Sequence, residues 1–353
     1  MNINEVELYN EEIKKYASKD IDWEKLRDKT FLITGATGLI GKFLIDVIMY
    51  KNDADNLNCK IIALGRNESK AKERFANCFN SNLFKFYETD INETITIEEE
   101  KLDYILHAAS STHPLQYSNY PISTITANVI GTKNILDLAV KVNASRVLFA
   151  SSVEIYGENR GDVDAFDESY LGYINCNTLR AGYPESKRTG EALCQAYIKE
   201  KGLDIVIPRL SRIFGPTILS TDSKALSQFI NKAVNNEDIV LKSEGNQYFS
   251  YTYVGDAVTA LLYTLFYGIN GEAYNVSDTT YDITLKDLAS TIAKQVGKEV
   301  IFDLPSEEER KGYSTATKAI MVSDKIKKLG WTVEESLDKT LNTTINILKQ
   351  LNK

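Results

Sequence analysis

The amino-acid sequence predicts an α/β fold in which a doubly wound parallel sheet carries a smaller C-terminal lobe. Short apolar segments alternate with helical patterns through the first two thirds of the chain, and the first such segment runs directly into a glycine-rich turn. The segments lack the alternation of half-exposed strands, which indicates parallel strands buried on both faces. The predicted strands are residues 30–34, 60–64, 84–88, 104–107, 146–150 and 205–209.

Helical patterns lie before and between these strands. Apolar residues at helical spacing predict an N-terminal helix within residues 6–27, and longer patterns predict helices at 122–142 and 184–201. Residues 52–58 are polar and predict a surface insertion between the first long helix and the second strand.

The pattern loosens after Pro216, which indicates a smaller lobe that closes over a substrate. The elements predicted in this lobe are helices at 224–234, 256–267 and 284–296 and strands at 251–254 and 300–303. We therefore divide the chain into an N-terminal helical extension (1–28), a cofactor-binding domain with the catalytic residues (29–215) and a mainly substrate-binding lobe (216–353).

Composition and charge exclude several function classes. The 353 residues are 43% hydrophobic and 25% charged, with a net charge of −8, so no basic surface for nucleic acid is expected. Two histidines, His107 and His113, and four cysteines without a Cys-x-x-Cys pair predict no metal site and reduced thiols. No apolar run approaches the roughly 18 residues of a membrane span, and the polar N-terminus is unlike a signal peptide. We expect a cytoplasmic protein without a membrane partner.

The glycine-rich turn predicts a dinucleotide site. Phe31-Leu32-Ile33-Thr34 is followed by Gly35-Ala36-Thr37-Gly38-Leu39-Ile40-Gly41, which is a strand, a tight turn and a helix start. Such a turn lets the backbone approach a pyrophosphate at the N-terminus of the helix. This context predicts a Rossmann-type domain that binds NAD or NADP.

The residues after the second and third strands bear on the choice of cofactor. An NAD site usually has an acid at the end of the second strand, to bind the ribose 2′-hydroxyl. This chain has Gly65 and then Arg66 there, which favours the 2′-phosphate of NADP. Arg66 stacked on the adenine or facing solvent is the alternative. Asp90, after the third strand, is expected to bind the adenine amino group or to cap a turn.

A second motif predicts alcohol–ketone redox chemistry. Tyr183-Pro184-Glu185-Ser186-Lys187 puts a phenol and an ammonium one helical turn apart on the same face. The cation favours the phenolate, so Tyr183 can accept a proton from an alcohol near neutral pH. Ser152 follows a predicted strand and points to the crevice where such sheets bind ligands. Glu154 is a candidate second acid or base, or else a solvated turn residue.

Together these motifs resemble the extended short-chain dehydrogenase/reductase family, the NAD(P)-dependent nucleotide-sugar epimerases and dehydratases. The resemblance covers nearly the whole chain. The motifs that carry it are Gly35-x-x-Gly38-x-x-Gly41, His107-Ala108-Ala109-Ser110, Ser152, Tyr183-x-x-x-Lys187 and Leu329-Gly330-Trp331.

The stretch between the two motifs is similar to the UDP-glucuronate decarboxylases in particular. Segments that carry this similarity are Pro114-Leu115-Gln116-Tyr117, Asn128, Gly131-Thr132, Asn175 and Arg180-Ala181-Gly182-Tyr183. The resemblance implies that the cofactor is also contacted by Thr37, Leu39, Ile40, Ile91, His107, Ala108, Ala109 and Asn128. It implies that the substrate is contacted by Ser110, Ser111, Asn175 and Arg180.

Four departures from the family pattern concern the substrate. Val153 stands where the decarboxylases have a serine and the dehydratases an aspartic acid. Lys318 stands near a usual arginine, and Phe249 replaces the arginine of an Arg-x-Phe-x-Tyr-Val segment. Arg212 replaces the usual asparagine before Gly215-Pro216. We expect Arg212 to take over the diphosphate of the substrate, unless it is a surface or ion-pair residue.

These residues predict an enzyme that acts on a nucleotide-diphosphate sugar. Tyr183, with Ser152, removes the proton of a sugar hydroxyl, expected at C4, and the hydride passes to the nicotinamide. Lys187 favours the phenolate and holds the nicotinamide ribose. The oxidised sugar is then epimerised, decarboxylated or dehydrated before the hydride returns. Because Val153 is not an acid, dehydration ranks last.

Two other functions stay open on the sequence. A net reductase would take hydride from NADPH to a keto-sugar, and Arg66 supports that alternative. A cofactor-binding sensor without chemistry is disfavoured by the intact pair of Tyr183 and Lys187. The family resemblance also suggests a homodimer, formed through the helices at 122–142 and 184–201.

Overall fold

The computed structural model describes residues 2–110, 119–304 and 317–353. Its main sheet has the strand order β3-β2-β1-β4-β5-β7-β11, with β6 pairing β7, and all of these pairs are parallel. The predicted parallel sheet is thereby confirmed. The strands are β1 (Thr30–Thr34), β2 (Lys60–Gly65), β3 (Phe84–Glu88), β4 (Tyr104–His107), β5 (Arg146–Phe149), β6 (Ser151–Ser152), β7 (Ile205–Leu210) and β11 (Ala273–Val276).

Helices cover both faces of this sheet. Successive β1 side chains belong to two separate apolar clusters, because strand side chains alternate between faces. Leu32 belongs to one cluster, while Phe31 and Ile33 belong to the other. The helices are α1 (Glu7–Ala17), α2 (Leu39–Asp55), α3 (Glu68–Arg74), α4 (Pro121–Lys141), α5 (Gly182–Lys201), α6 (Ala225–Val234), α7 (Val254–Tyr267), α8 (Leu285–Gln295), α9 (Asp324–Lys327) and α10 (Leu337–Leu351).

Because every strand of the main sheet runs the same way, the carboxyl ends of the strands lie along one edge. The order reverses between β1 and β4, since β2 lies on one side of β1 and β4 on the other. In such sheets ligands bind in the crevice at this reversal. The turn after β1, the end of β4 and the segment after β5 therefore converge at that edge.

The N-terminal extension differs from the helix predicted over residues 6–27. Helix α1 ends at Ala17, and a separate 3₁₀ turn spans Trp23–Leu26. The Tyr9 hydroxyl donates to Asp46 Oδ2 at 2.6 Å, and the Tyr16 hydroxyl donates to Asp256 Oδ1 at 3.2 Å. These bonds attach α1 to α2 and α7, the helices that lie beneath it.

The segment predicted as a polar surface insertion at 52–58 is mostly exposed, as predicted, but its first four residues belong to helix α2. Helix α2 continues to Asp55, and both Asn52 and Leu57 are buried. The Asn52 amide donates to the Cys59 carbonyl at 2.8 Å and accepts from the Cys59 amide at 2.8 Å. The Asn52 side chain satisfies both backbone polar groups of Cys59, and these hydrogen bonds allow a polar residue to be buried.

The segment after residue 216 builds a second layer and then returns to the main sheet. Strands β8 (Arg212–Phe214), β10 (Tyr248–Tyr253), β12 (Asp282–Thr284) and β14 (Lys318–Ala319) form one small sheet, and β9 (Ile239–Leu241) pairs β13 (Val300–Phe302). Between them, α7 packs against the main sheet and β11 pairs β7 at its edge. The segment predicted to form the smaller lobe thus contributes α7 and β11 to the cofactor-binding domain. Its substrate-binding role stays a prediction.

In the described part of the chain, no helix combines the length and the apolar character that crossing a membrane requires.

Candidate active site

The turn between β1 and α2 is shaped to receive a dinucleotide. Gly35 adopts φ +68°, and an added Cβ would lie 2.7 Å from the Ala108 carbonyl oxygen. A Cβ on Gly41 would lie 2.6 Å from the Gly35 carbonyl oxygen, so the helix and the turn can approach only without side chains. Gly38 is the N-cap of α2, where free backbone N–H groups favour a phosphate. These residues fit the pyrophosphate of NAD(P), with Thr37, Leu39 and Ile40 in the same turn.

A buried threonine joins this turn to the end of β4. The Thr34 hydroxyl oxygen accepts from the Ala108 and Ala109 amides at 3.1 and 3.0 Å. The same hydroxyl lies 2.9 Å from His107 Nδ1, and His107 Nε2 lies 3.1 Å from the Thr132 hydroxyl on α4. The predicted strand end His107-Ala108-Ala109 is thus held against the glycine turn.

The neighbours of His107 determine its tautomer. Because Thr34 accepts two amide hydrogens, its own proton points to Nδ1, which must therefore be unprotonated. Nε2 then carries the hydrogen and donates to Thr132, whose hydroxyl in turn donates to the Asn128 carbonyl at 2.5 Å. Burial lowers the pKa of His107 to about 3, with a further contribution from the Lys187 charge. His107 is therefore a neutral structural link.

Asn128 connects α4 to the helix that carries the Tyr-x-x-x-Lys motif. Its amide nitrogen donates to the Ser186 hydroxyl at 2.8 Å, and that hydroxyl donates to the Tyr183 carbonyl at 2.9 Å. Its amide oxygen accepts from the Ser110 hydroxyl at 2.7 Å. Both polar ends of Asn128 bind protein groups, so Asn128 and Ser110 set the position of the tyrosine helix. Direct contacts of either residue with cofactor or substrate remain predictions.

Tyr183 and Lys187 lie in the first turns of α5, and both are buried. Lys187 is only 3% exposed, and its Nζ donates to the Ala150 carbonyl at 2.8 Å. Burial lowers the pKa of Lys187 to about 8, while the Glu191 carboxylate acts in the opposite direction. The ammonium is therefore held at the end of β5, one helical turn from the phenol. A cation in this position favours the phenolate.

Ser152 ends the short strand β6 after β5, and Glu154 lies in the 3₁₀ turn Val153–Tyr156 that follows it. Ser152 pairs Leu210 in the short β6–β7 ladder, and its hydroxyl oxygen accepts from the Glu154 amide at 3.3 Å. The Glu154 carboxylate lies 3.6 Å from Arg212 Nη2. Two residues predicted separately, one as acid or base and one as anion binder, thus form an ion pair. Val153 between them is buried and apolar.

Besides its ion pair with Glu154, Arg212 stacks on an aromatic ring. Its guanidinium carbon lies 3.7 Å from the centre of the Phe249 ring, and the facing strand pairs Tyr251 with Arg212. Within the described residues, Nη1 of Arg212 is buried without a hydrogen-bond partner. A buried donor of this kind indicates a partner that the chain itself does not supply.

The remaining predicted cofactor residues occupy the opposite end of the crevice. Arg66 is exposed directly after β2, where a ribose 2′-group is expected. Asp90 Oδ1 accepts from the Asn92 amide and side chain at 2.9 and 2.8 Å, which makes it a turn cap. Ile91 packs against Gly131 of α4, since a Cβ there would lie 2.6 Å from Ile91 Cδ1. An adenine contact by Asp90 or Ile91 stays a prediction.

Two predicted substrate residues, Asn175 and Arg180, lie on the segment that precedes α5. Asn175 is exposed and accepts from the Asn177 amide at 3.1 Å, and Arg180 is half-buried in the 3₁₀ turn Leu179–Ala181 that precedes α5. Ser111 lies outside the described residues, as does the Pro114-Leu115-Gln116-Tyr117 segment. The substrate contacts of all three remain predictions.

The sequence interpretation missed two groups beneath the catalytic pair. Glu191 lies one helical turn after Lys187 on the same face of α5, a spacing visible in the sequence. Its partner Arg209 ends a distant strand, and Arg209 Nη2 lies 2.7 Å from Glu191 Oε2. Thr34 was also passed over, although a hydroxyl at the end of an apolar strand beside a glycine turn is itself a signal.

Replacing Gly35 by alanine tests the dinucleotide turn. The new Cβ would meet the Ala108 carbonyl in a left-handed backbone conformation, so we expect NAD(P) binding to weaken at least tenfold. Gly161→Ala is the matched control, because Gly161 has φ +83° but nothing within 4 Å of the added Cβ. Isothermal titration with NAD and NADP measures both variants. Equal cofactor affinity in Gly35→Ala and wild type would contradict the assignment.

Comparison with known proteins identifies the family of this chain. Residues 31–277 match the model of the NAD dependent epimerase/dehydratase family. The chain is 29% identical over 325 residues to UDP-glucuronic acid decarboxylase 1 of Xenopus tropicalis, and the aligned residues cover 91% of this chain and 72% of the relative. It is 31% identical over 269 residues to UDP-glucuronic acid decarboxylase 3 of Arabidopsis thaliana, and the aligned residues cover 76% of this chain and 75% of the relative.

Solved structures share the fold over nearly all of the chain. UDP-glucose 4-epimerase of Thermotoga maritima, solved with UDP-glucose, superposes with a TM-score of 0.78 at 22% identity and covers 92% of this chain and 100% of its own. dTDP-glucose 4,6-dehydratase of Streptomyces venezuelae, solved with NAD, superposes with a TM-score of 0.77 at 21% identity and covers 91% and 97%. This chain belongs to the NAD dependent epimerase/dehydratase family.

Proposed function

We propose that this protein is an NAD(P)-dependent enzyme that oxidises a nucleotide-diphosphate sugar transiently at C4 and then acts on the carbon next to it. The observation that carries the proposal is the buried pair of Tyr183 and Lys187 on α5. Asn128 holds the tyrosine through Ser186, and the lysine binds the Ala150 carbonyl at the end of β5. The nicotinamide would accept the C4 hydride and return it at the end of the cycle.

The side chains of the chain divide the proton transfers among them. Tyr183 takes the proton of the C4 hydroxyl, and Ser152 hydrogen-bonds the same oxygen. Lys187 stabilises the phenolate as a cation. One of its three ammonium hydrogens binds the Ala150 carbonyl, and the other two would hold the nicotinamide ribose. In the return step Tyr183 gives the proton back to the C4 oxygen. The chain thus ends the cycle in its starting protonation state.

Loss of CO2 is the second step that the site supports best. Dehydration needs an acid to protonate a leaving hydroxyl, and the position that would supply it is the buried Val153. A 4-keto sugar with a C5 carboxylate needs no such acid. Its C5–C6 bond breaks, CO2 departs and the electron pair moves to the C4 oxygen as an enolate. A solvent water oriented by Glu154 then protonates C5, so that each turnover takes up one proton from solvent. Epimerisation of the same substrate is the competing outcome.

A UDP-hexuronic acid is therefore the proposed substrate, and UDP-glucuronic acid is the compound to test. The curated relatives named above act on UDP-glucuronic acid by their names. Arg212 pairs only loosely with Glu154 and keeps a buried Nη1 without a partner among the described residues, which suits an anionic ligand of this kind.

Incubation with UDP-glucuronic acid tests the activity directly. We expect release of CO2 and a UDP-pentose, identified by proton NMR, and we expect Tyr183→Phe to lower the rate by about 10²–10⁴-fold, because general acid–base catalysis by the phenol is lost. Tyr197→Phe on the same helix is the control, since the Tyr197 hydroxyl bonds Asp137 near the surface. A UDP-uronic acid epimer as sole product would replace decarboxylation by epimerisation. No turnover of any nucleotide sugar would contradict the proposal.

The reductase alternative depends on Arg66. Its exposed guanidinium after Gly65 favours the 2′-phosphate of NADP over the 2′-hydroxyl of NAD. A net reductase would exchange its cofactor in every turnover, whereas the proposed redox-neutral enzyme keeps it bound.

A homodimer is the proposed assembly. Helix α4 exposes the apolar side chains of Ile122, Ile125 and Ile130. A shallow depression of about 300 Å³ between α4 and α5 is lined by Ile125 and Leu179 among others. Apolar side chains exposed on one face of a helix favour burial against another subunit.

Native mass spectrometry tests cofactor and assembly together. We expect a particle of two chains with two bound dinucleotides, whose mass after denaturation identifies NADP or NAD. NADP would support the role given to Arg66, and NAD would contradict it. An empty protein that binds NADPH only weakly would favour the reductase, and a monomer would contradict the assembly.

Arg212 is proposed to bind the substrate diphosphate. We expect Arg212→Met to weaken UDP binding by about 10–100-fold, because a charge-assisted hydrogen bond contributes about 1.5–3 kcal/mol. Arg160→Met is the control, since Arg160 also stacks on an aromatic ring, 3.6 Å from the centre of Tyr173, but is exposed. Calorimetry with UDP, UDP-glucose and UDP-glucuronic acid separates the alternatives. A loss confined to UDP-glucuronic acid would assign Arg212 to the sugar carboxylate, and no loss would remove it from the site.

A further inference from the structure

The buried ammonium of Lys187 has a carboxylate beneath it that the mechanism above does not use. Glu191 lies one turn further along α5 on the same face, and its charge raises the pKa of Lys187 against the effect of burial. Lys187 is 3% exposed, so water cannot stabilise its charge. The lysine therefore depends on neighbouring protein groups to remain protonated.

Glu191 is itself held in place from two strands. Its Oε1 accepts from the Ser151 hydroxyl at 2.5 Å and from Arg209 Nε at 3.0 Å, and its Oε2 accepts from Arg209 Nη2 at 2.7 Å. Both members of the ion pair are largely buried, at 14% and 12% side-chain exposure. A bidentate arginine on one side leaves the carboxylate little freedom to turn away from the lysine.

Arg209 is tied in turn to the second layer of the fold. Its Nη1 donates to the Tyr156 hydroxyl at 2.9 Å and to the Glu168 carbonyl at 2.8 Å. The Tyr156 hydroxyl donates to Asn275 on β11 at 2.6 Å, and the Asn275 side chain donates to the Val322 carbonyl at 2.9 Å. The orientation of Arg209 is thus determined by several elements in addition to its ion pair with Glu191 on α5.

The other titratable groups around Lys187 cannot replace Glu191. On α5 these are Tyr183 and the Cys194 thiol, whose pKa is raised by burial. From β4 the group is His107, which is neutral because burial lowers its pKa to about 3. From β7 it is Arg209, which is a cation. Among the described residues around Lys187, Glu191 is thus the carboxylate whose charge opposes the effect of burial.

We propose that Glu191 is a positioning residue that keeps Lys187 protonated in its buried site, and that Arg209 limits how much of that negative charge the lysine feels. The inference rests on the proposed function, because the charge of Lys187 matters for turnover only if Tyr183 acts as the base. Glu191 itself touches neither substrate nor cofactor in this scheme.

The two partners then have opposite effects. Glu191→Gln removes the anion, so Lys187 loses its proton at lower pH. Arg209→Met leaves the Glu191 charge without its partner, so Lys187 keeps its proton to higher pH. A role confined to packing would lower stability in both variants and would shift the lysine titration in neither. Ser151→Ala is the matched control, because it deletes one hydrogen bond to Glu191 and leaves every charge in place.

The experiment is a carbon-13 NMR titration of lysine-labelled protein without substrate, with the Lys187 signal identified by its loss in Lys187→Met. We expect a midpoint near pH 8 in wild type, lower by about one unit or more in Glu191→Gln, higher in Arg209→Met, and nearly unchanged in Ser151→Ala. If Glu191→Gln does not fold by circular dichroism, the double variant Glu191→Gln/Arg209→Met, which leaves neither charge buried alone, takes its place, with a smaller decrease expected because the cation is removed together with the anion.

Equal midpoints in wild type and both charge variants would overturn the inference. A shift of the same sign in Glu191→Gln and Arg209→Met would overturn it as well. The pH at which turnover of UDP-glucuronic acid declines on the alkaline side should follow the same order as the NMR midpoints. Because the NMR readout needs no substrate, a wrong substrate assignment would abolish turnover and leave the titration intact, so the two failures are distinguishable.

Discussion

A single chain of buried hydrogen bonds determines the geometry of the catalytic end of this molecule. It begins at Thr34 beneath the glycine turn, passes through His107 and Thr132, and reaches the carbonyl of Asn128. The Asn128 side chain continues it through Ser186 to the Tyr183 carbonyl. Every donor in this chain points toward α5 only if His107 is neutral with its hydrogen on Nε2. The dinucleotide turn and the tyrosine helix are thereby held at one relative position.

The charges of the site are arranged around this rigid frame in two pairs. Glu191 and Arg209 lie beneath Lys187, largely buried and with bidentate geometry. Glu154 and Arg212 lie beyond Ser152, with an atom separation of 3.6 Å and partial exposure. The first pair has its hydrogen bonds satisfied by protein groups and therefore sets a local field. The second pair is loose and retains a buried donor, so it is the one suited to exchange its partner for an anionic ligand.

Much of the sheet follows from local sequence, because buried parallel strands are short apolar runs whose ends are marked by polar residues. The bounds predicted at residues 30–34, 84–88 and 104–107 agree with β1, β3 and β4. Strand β11 was missed, since Ala273–Val276 is only four residues long and contains Asn275, whose amide is buried by pairing with distant carbonyls. Asn52, in the run predicted to lie at the surface, is buried for the same reason, because it bonds the Cys59 backbone.

The sequence by itself determined the dinucleotide turn and the tyrosine–lysine pair, because each is a local arrangement within one strand–turn–helix or one helical turn. It also determined the family, since these motifs appear in the right order and spacing. Only the tertiary structure decided that Glu154 faces Arg212, that Arg209 holds Glu191 beneath Lys187, and that Asn128 binds Ser110 and Ser186. These contacts join residues far apart in the chain, and such contacts depend on which strand ends the parallel sheet brings to one edge.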